Sequence, residues 1–162
     1  TIAKGMTSGM VPMGGVLVRE DIYEAFMTGP EENIEFFHGY TYSGHPLAAA
    51  AGLATLTVYE EEGLFARAKS LAPILEEELQ TIKGCPYVID IRNYGLLGAV
   101  ELQPIEGKPT ARATGVFRQC FDNGLLVRTT GDTIALCPPL IASEDQVRTV
   151  VAKLKESLNS ID

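Results

Sequence analysis

Cysteine is scarce in this chain. Cys85, Cys120 and Cys137 are far apart and odd in number. That excludes a disulfide framework or a zinc knuckle and predicts reduced thiols, as in a cytoplasmic protein. Histidine is scarcer still. His38 and His45 sit in a Gly/Tyr-rich stretch, and no nearby carboxylate or thiol completes a ligand set, so no metal is expected. No apolar run approaches the roughly 20 residues that span a bilayer, and the N-terminus carries no basic, apolar secretory segment. A membrane partner is therefore not expected. Positive charge is also in deficit: 13 Lys and Arg stand against 21 Asp and Glu, for a formal net charge of −8. An acidic chain with dispersed charge argues against nucleic acid as a partner. What remains, 46% hydrophobic and 21% charged over 162 residues, is an ordinary globular mix with enough chain for a domain-sized core.

Local pattern predicts the elements. Thr1 to Gly15 is rich in Gly, Met and Ser and reads as loop. Gly15–Arg19 reads as a short strand, and Asp21–Met27 as a short helix ended by Gly29-Pro30. Glu31–Gly44 is irregular. Pro46 stands where a helix starts, because its missing N–H is harmless in the first turn. Leu47–Tyr59 is apolar nearly all round, which predicts a buried helix broken at Gly63. Leu64, Ala68, Leu71, Leu75, Leu79 and Ile82 then recur at helical steps up to Gly84. Tyr87–Ile91 and Leu96–Leu102 read as strands around Asn93-Tyr94-Gly95. Ala113, Val116, Phe117, Cys120 and Phe121 form a second stripe, with Cys120 and Cys137 expected in the core. Leu125–Arg128 and Thr133–Cys137 read as strands joined by Thr129–Asp132. Ser143-Glu144-Asp145-Gln146 is a capping box opening a last helix with Val147, Val150, Val151, Leu154 and Leu158 on its apolar face. Residues 1–62 thus read as the end of one domain, and residues 63–162 as a compact α-β-β-α-β-β-α unit.

Three stretches can carry chemistry, and each has two local readings. Lys4, in Ile2-Ala3-Lys4-Gly5-Met6-Thr7-Ser8-Gly9, is either a surface lysine or a nucleophilic amine whose small neighbours admit a flat cofactor. Gly39-Tyr40-Thr41-Tyr42-Ser43-Gly44-His45-Pro46 is either an anion-binding loop at the positive end of a helix or a turn that merely caps it. Arg128, before Thr129-Thr130-Gly131-Asp132, is either a planar fork for a carboxylate or a solvated hairpin arginine pairing with Asp132.

In order and content together, these motifs resemble the class III, or omega-amino-acid, aminotransferases of the fold-type I pyridoxal-phosphate (PLP) superfamily. Ala3-Lys4-Gly5-Met6-Thr7-Ser8-Gly9 is similar to that family's cofactor-lysine signature, and Pro12-Met13-Gly14-Gly15-Val16 to the strand entry after it. His38–Pro46 resembles the phosphate loop, and Arg128 with Pro138-Pro139-Leu140 resembles the mobile arginine region. The phosphate loop and Asn93-Tyr94-Gly95-Leu96 are most similar to the beta-alanine:pyruvate and amine:pyruvate members.

The resemblance implies an α/β fold: the C-terminal portion of a fold-type I transferase, with the end of the large cofactor domain over residues 1–62 and a small α+β domain over residues 63–162. It implies PLP as cofactor, held by Lys4 as an aldimine. Lys4 would be the catalytic base and acid, Tyr40 and Thr41 would bind the cofactor, and Arg128 would bind substrate carboxylates. It further implies a homodimer, or dimer of dimers, in which Thr41 reaches the partner's cofactor. The expected reaction is ping-pong transfer of an amino group from an amine or omega-amino acid to a keto acid such as pyruvate. Decarboxylation or an amino shift on the same cofactor, or a non-catalytic fragment, are the alternatives. The family's carboxylate for the pyridinium nitrogen, its ring-stacking aromatic and its glycine/serine phosphate turn are expected upstream of Lys4, so the chain by itself is expected to be incomplete and inactive.

Overall fold

The computed structural model describes residues 1–32 and 36–161. Residues 33–35, within the stretch read as irregular, and residue 162 lie outside the described residues. The chain divides into two compact units, Thr1–Glu62 and Gly63–Asp162.

In the first unit, β1 (Ile2–Ala3) pairs antiparallel with β2 (Gly14–Gly15), Ile2 opposite Gly15 and Ala3 opposite Gly14. The strand expected over Gly15–Arg19 therefore stops almost where it was to begin. The ladder supplies partners for Gly14 and Gly15 only, and an apolar run without a partner forms no strand. Helix α1 covers Glu20–Phe26.

Helix α2 runs Pro46–Glu61 with Pro46 in its first turn. It was expected to be buried, and it is buried only along Ala48, Gly52 and Thr55. Those residues recur at steps of four and three, one face of a helix. The small stripe admits the backbone of the preceding segment: a Cβ on Gly52 would lie 3.5 Å from the Met13 sulfur and 3.6 Å from the Met6 carbonyl oxygen. Leu47, Leu53, Leu56 and Val58, on the other flanks, are exposed.

The second unit follows the order α3 (Leu64–Gln80), β3 (Val88–Tyr94), β4 (Leu97–Leu102), α4 (Ala111–Asp122), β5 (Arg128–Thr130), β6 (Thr133–Leu136) and α5 (Glu144–Asn159). The strands make one antiparallel sheet ordered β3-β4-β6-β5. Alternation decides its faces. Gly98, Val100 and Leu102 of β4 and Ile134 and Leu136 of β6 are buried, whereas Leu97, Ala99, Glu101 and Ala135 are not. The buried face packs with Leu71, Leu75 and Leu79 of α3, Val116 and Cys120 of α4, and Val151, Leu154 and Leu158 of α5 into one core. The opposite face is open.

Boundaries shift where turn chemistry decides them. Asn93 and Tyr94 are the end of β3, not part of a turn, since Tyr94 pairs with Leu97 and leaves Gly95-Leu96 as the connection. Gly95 takes the left-handed conformation, φ 57°, that this connection needs. Likewise, Arg128 begins β5 and does not end a strand, because Thr130 pairs with Thr133 across Gly131-Asp132. Phe121 is exposed, and so is Cys137, which was expected in the core. Cys137 lies just past β6, on the parity of Ala135 and the open face.

Candidate functional site

Lys4 follows directly on β1 and opens a tight turn. Its backbone is left-handed, φ 56°, a conformation that non-glycine residues adopt only when their surroundings impose it. Here hydrogen bonds impose it. The Lys4 carbonyl accepts from the N–H of Thr7 at 3.4 Å and of Gly9 at 3.3 Å. Thr7 is buried, 2% exposed, and its hydroxyl donates to the Val11 carbonyl at 2.6 Å. From α2, the Tyr59 hydroxyl donates to the Gly5 carbonyl at 2.7 Å. Lys4 itself is exposed. Among the described residues its ammonium enters no hydrogen bond or ion pair, so a fixed backbone presents an uncommitted amine.

The second feature of this unit is a cleft of about 660 Å³ bounded by Pro12–Gly14, the Gly39–His45 loop and Ala48–Ala49. Tyr40 and Thr41 line it together, and Lys4 is not part of its wall. The loop turns through a Ser43 N–H to Tyr40 carbonyl bond of 2.9 Å and through Gly44 at φ 67°. The cap of α2 is His45, whose Nδ1 accepts from the Leu47 N–H at 3.2 Å. Capping therefore uses none of the loop's hydroxyls. Among the described residues, the side chains of Tyr40, Thr41, Tyr42 and Ser43 make no hydrogen bond. They stand beside the positive end of a helix that has no acidic residue in its first turn. That favours the anion-binding reading of this loop over the purely capping one.

Arg128 belongs to the second unit. Register puts Arg92, Ala99, Ala135 and Arg128 in one row across the open sheet face, where they line a shallow concavity of about 1120 Å³. The two arginines differ in electrostatic state. Arg92 is neutralised by Asp90 and by Glu101, the latter at 2.6 Å. Arg128 is exposed and makes no ion pair or side-chain hydrogen bond among the described residues. The pair with Asp132 weighed from sequence does not form, because the Asp132 carboxylate accepts from the Thr110 N–H at 3.1 Å instead. Arg128 is thus a free planar cation above a floor kept low by two alanines, a geometry open to a carboxylate.

Other candidates fall away. All three cysteines are free, and burial pushes the Cys120 thiol above its ordinary range, against a smaller opposing effect of Ser157. Among the described residues no cluster of His, Cys, Asp or Glu can hold a metal ion, and no helix is long and apolar enough to cross a membrane. Sequence reasoning missed Tyr59 and Arg92 and weighed Asp132 only as a partner for Arg128. Only Arg92 left a signal: it alternates with Asp90 along a strand, two residues away on the same face.

Residues 1–158 match the family model for aminotransferase class-III. The chain is 49% identical over 161 residues to an omega-aminotransferase of Caulobacter vibrioides, covering 99% of this chain and 37% of that protein. It is 41% identical over 162 residues to a beta-alanine–pyruvate aminotransferase of Pseudomonas aeruginosa, covering 99% and 36%. Among solved structures, it superposes with a TM-score of 0.87 at 27% identity on an adenosylmethionine-8-amino-7-oxononanoate aminotransferase from Methanocaldococcus jannaschii, covering 99% and 38%. A transaminase solved with L-alanine gives 0.85 at 31% identity, covering 97% and 38%. The chain thus spans a little over a third of the length of these relatives. Its fold is the corresponding portion of the PLP-dependent, fold-type I transaminases, and the chain belongs to the class-III aminotransferase family.

Proposed function

We propose that the intact protein transfers an amino group from an amine or omega-amino acid to a keto acid such as pyruvate, with PLP bound at Lys4. Residues 1–62 are read as the end of the large cofactor domain and residues 63–162 as the small domain. The observation that carries the reading is the pairing of an uncommitted amine on a rigid turn with a loop whose four hydroxyls are left unused by helix capping.

These residues fit PLP, an aldehyde with a phosphate arm. Lys4 Nζ is the covalent anchor for the aldehyde. Tyr40 and Thr41 offer hydroxyl donors, and the start of α2 a favourable potential, for a phosphate. We assign Thr41, as the family resemblance implies, to the partner subunit's cofactor in a homodimer or dimer of dimers; Lys4 is not on the wall of the cleft that Thr41 lines. When bound, PLP supplies an electron sink for the substrate carbon that loses its proton. The protein's own part is proton traffic and orientation. Lys4 Nζ would take the proton from the amine-bearing carbon as base and deliver it, as acid, to the carbon of the former PLP aldehyde. Arg128 holds the keto acid's carboxylate through two parallel N–H donors, and an amine without a carboxylate makes no such contact.

The test follows the two half-reactions separately in the intact, PLP-loaded protein, wild type and Arg128→Ala. Wild type should need a keto acid to turn over and should form one alanine from pyruvate for each amine consumed. A charge-assisted bidentate contact contributes about 1.5–3 kcal/mol, so Arg128→Ala should lower keto-acid kcat/KM by roughly 10- to 150-fold and leave a neutral arylalkylamine far less affected. Turnover without a keto acid, as in decarboxylation or an amino shift, contradicts the reading of the reaction. Equal losses in both halves contradict the role of Arg128.

A further inference from the structure

We propose that Tyr59 is a positioning residue for Lys4, its hydroxyl clamping the lysine's turn onto α2. The inference rests on the assignment of Lys4 as the PLP lysine.

The two carbonyls that flank the Gly5 α-carbon are both held, from different directions. The Lys4 carbonyl is held within the turn by the N–H groups of Thr7 and Gly9. The Gly5 carbonyl is held by the Tyr59 hydroxyl at 2.7 Å, from 54 residues further along the chain. Local bonds can impose the left-handed backbone of Lys4, but they cannot fix the turn against the rest of the unit. Against α2, Gly52 faces Met13 and the Met6 carbonyl with room for van der Waals contact only, and such packing can slide. The Tyr59 bond is directional and cannot. Position 5 approaches it closely: a Cβ on Gly5 would stand 3.3 Å from the Tyr59 oxygen, so a side chain there makes the hydroxyl give by a few tenths of an ångström and weakens its bond. The same helix also carries the Tyr40–His45 loop at its start. Tyr59 therefore sets the height of Lys4 relative to the frame on which the loop is built. The ring is half-buried, and phenylalanine preserves it. Only the hydroxyl distinguishes clamping from packing.

The experiment compares intact, PLP-loaded wild type, Tyr59→Phe, Tyr59→Leu and Gly5→Ala. Circular dichroism in the bound cofactor's visible band reports its orientation. The half-time of PLP loss to an excess of a second PLP-binding apoenzyme reports its hold. Borohydride reduction with peptide mapping reports the attachment point. Loss of one ordinary hydrogen bond predicts PLP release faster by about 2- to 13-fold and a weakened visible band, with far-ultraviolet dichroism unchanged. Tyr59→Phe should show this change although it keeps the ring, and Gly5→Ala, with the tyrosine intact, should shift both readouts in the same direction by less. Wild-type behaviour of Tyr59→Phe beside a damaged Tyr59→Leu would assign the residue to packing and overturn the clamp. So would an unaffected Gly5→Ala, which also decides the matter if the Tyr59 variants do not fold. A label at Lys4 with band and release unchanged overturns the clamp alone. A label on another lysine removes the Lys4 assignment and the clamp with it.

Discussion

Asp132 is fixed from outside its own hairpin. Its carboxylate accepts from the Thr110 N–H, its backbone carbonyl accepts from the Leu102 N–H at 2.9 Å, and its Oδ1 is buried with no partner among the described residues. Asp132→Ala removes the acceptor of the exposed Thr110 N–H and should cost about 0.5–1.5 kcal/mol, the net contribution of one hydrogen bond. Asp132→Asn keeps an acceptor oxygen and should cost less. Denaturant unfolding of the intact protein measures both, and an alanine variant as stable as wild type contradicts the account. Arg128 rides on this hairpin, so the sequence made the arginine conspicuous, but its neighbour Asp132 was the wrong partner to weigh. The partner of Asp132 comes from a loop 22 residues away, a distance at which sequence carries no pattern. Tyr59 escaped notice for the same reason. Lys4, Tyr40 and Thr41 are singled out by motif order alone, and Cys137 was misread because the strand it follows buries alternate residues only.

Elements whose cause is local were the most legible. The capping box of α5 forms as read, with the Ser143 hydroxyl accepting from the Gln146 N–H at 3.2 Å and Gln146 Oε1 accepting from the Ser143 N–H at 2.8 Å. The stripes of α3 and α5 bury the leucines and valines that their periodicity selects, save Val150, which is half-buried. Periodicity could not show where strand meets helix. At Gly98 of β4 a Cβ would lie 2.8 Å from Leu79 Cδ1 of α3, and Leu79 is fully buried, so its end has nowhere to move. Gly98→Ala should destabilise by about 1–3 kcal/mol through overpacking. Adding Leu79→Ala removes the obstructing methyl, so the double variant should cost less than the sum of the two. Strict additivity in denaturant unfolding contradicts this packing. The α2 helix was misjudged at this scale as well: a run apolar nearly all round read as a buried helix, but within this chain only the small stripe at Ala48, Gly52 and Thr55 closes.

Across the whole molecule, the division at Glu62 and Gly63 separates two kinds of information. The second unit owns a closed core of its own, and its order of elements could be read from period and turn residues. The first unit buries little, and there motif resemblance, not hydrophobic pattern, is what singles out the Lys4 turn and the Tyr40–His45 loop. The account stands or falls on the amine that holds the cofactor. Borohydride reduction of the intact, PLP-loaded protein followed by peptide mapping should place the pyridoxyl group on Lys4. Finding it on Lys69 or Lys83 instead would contradict the account.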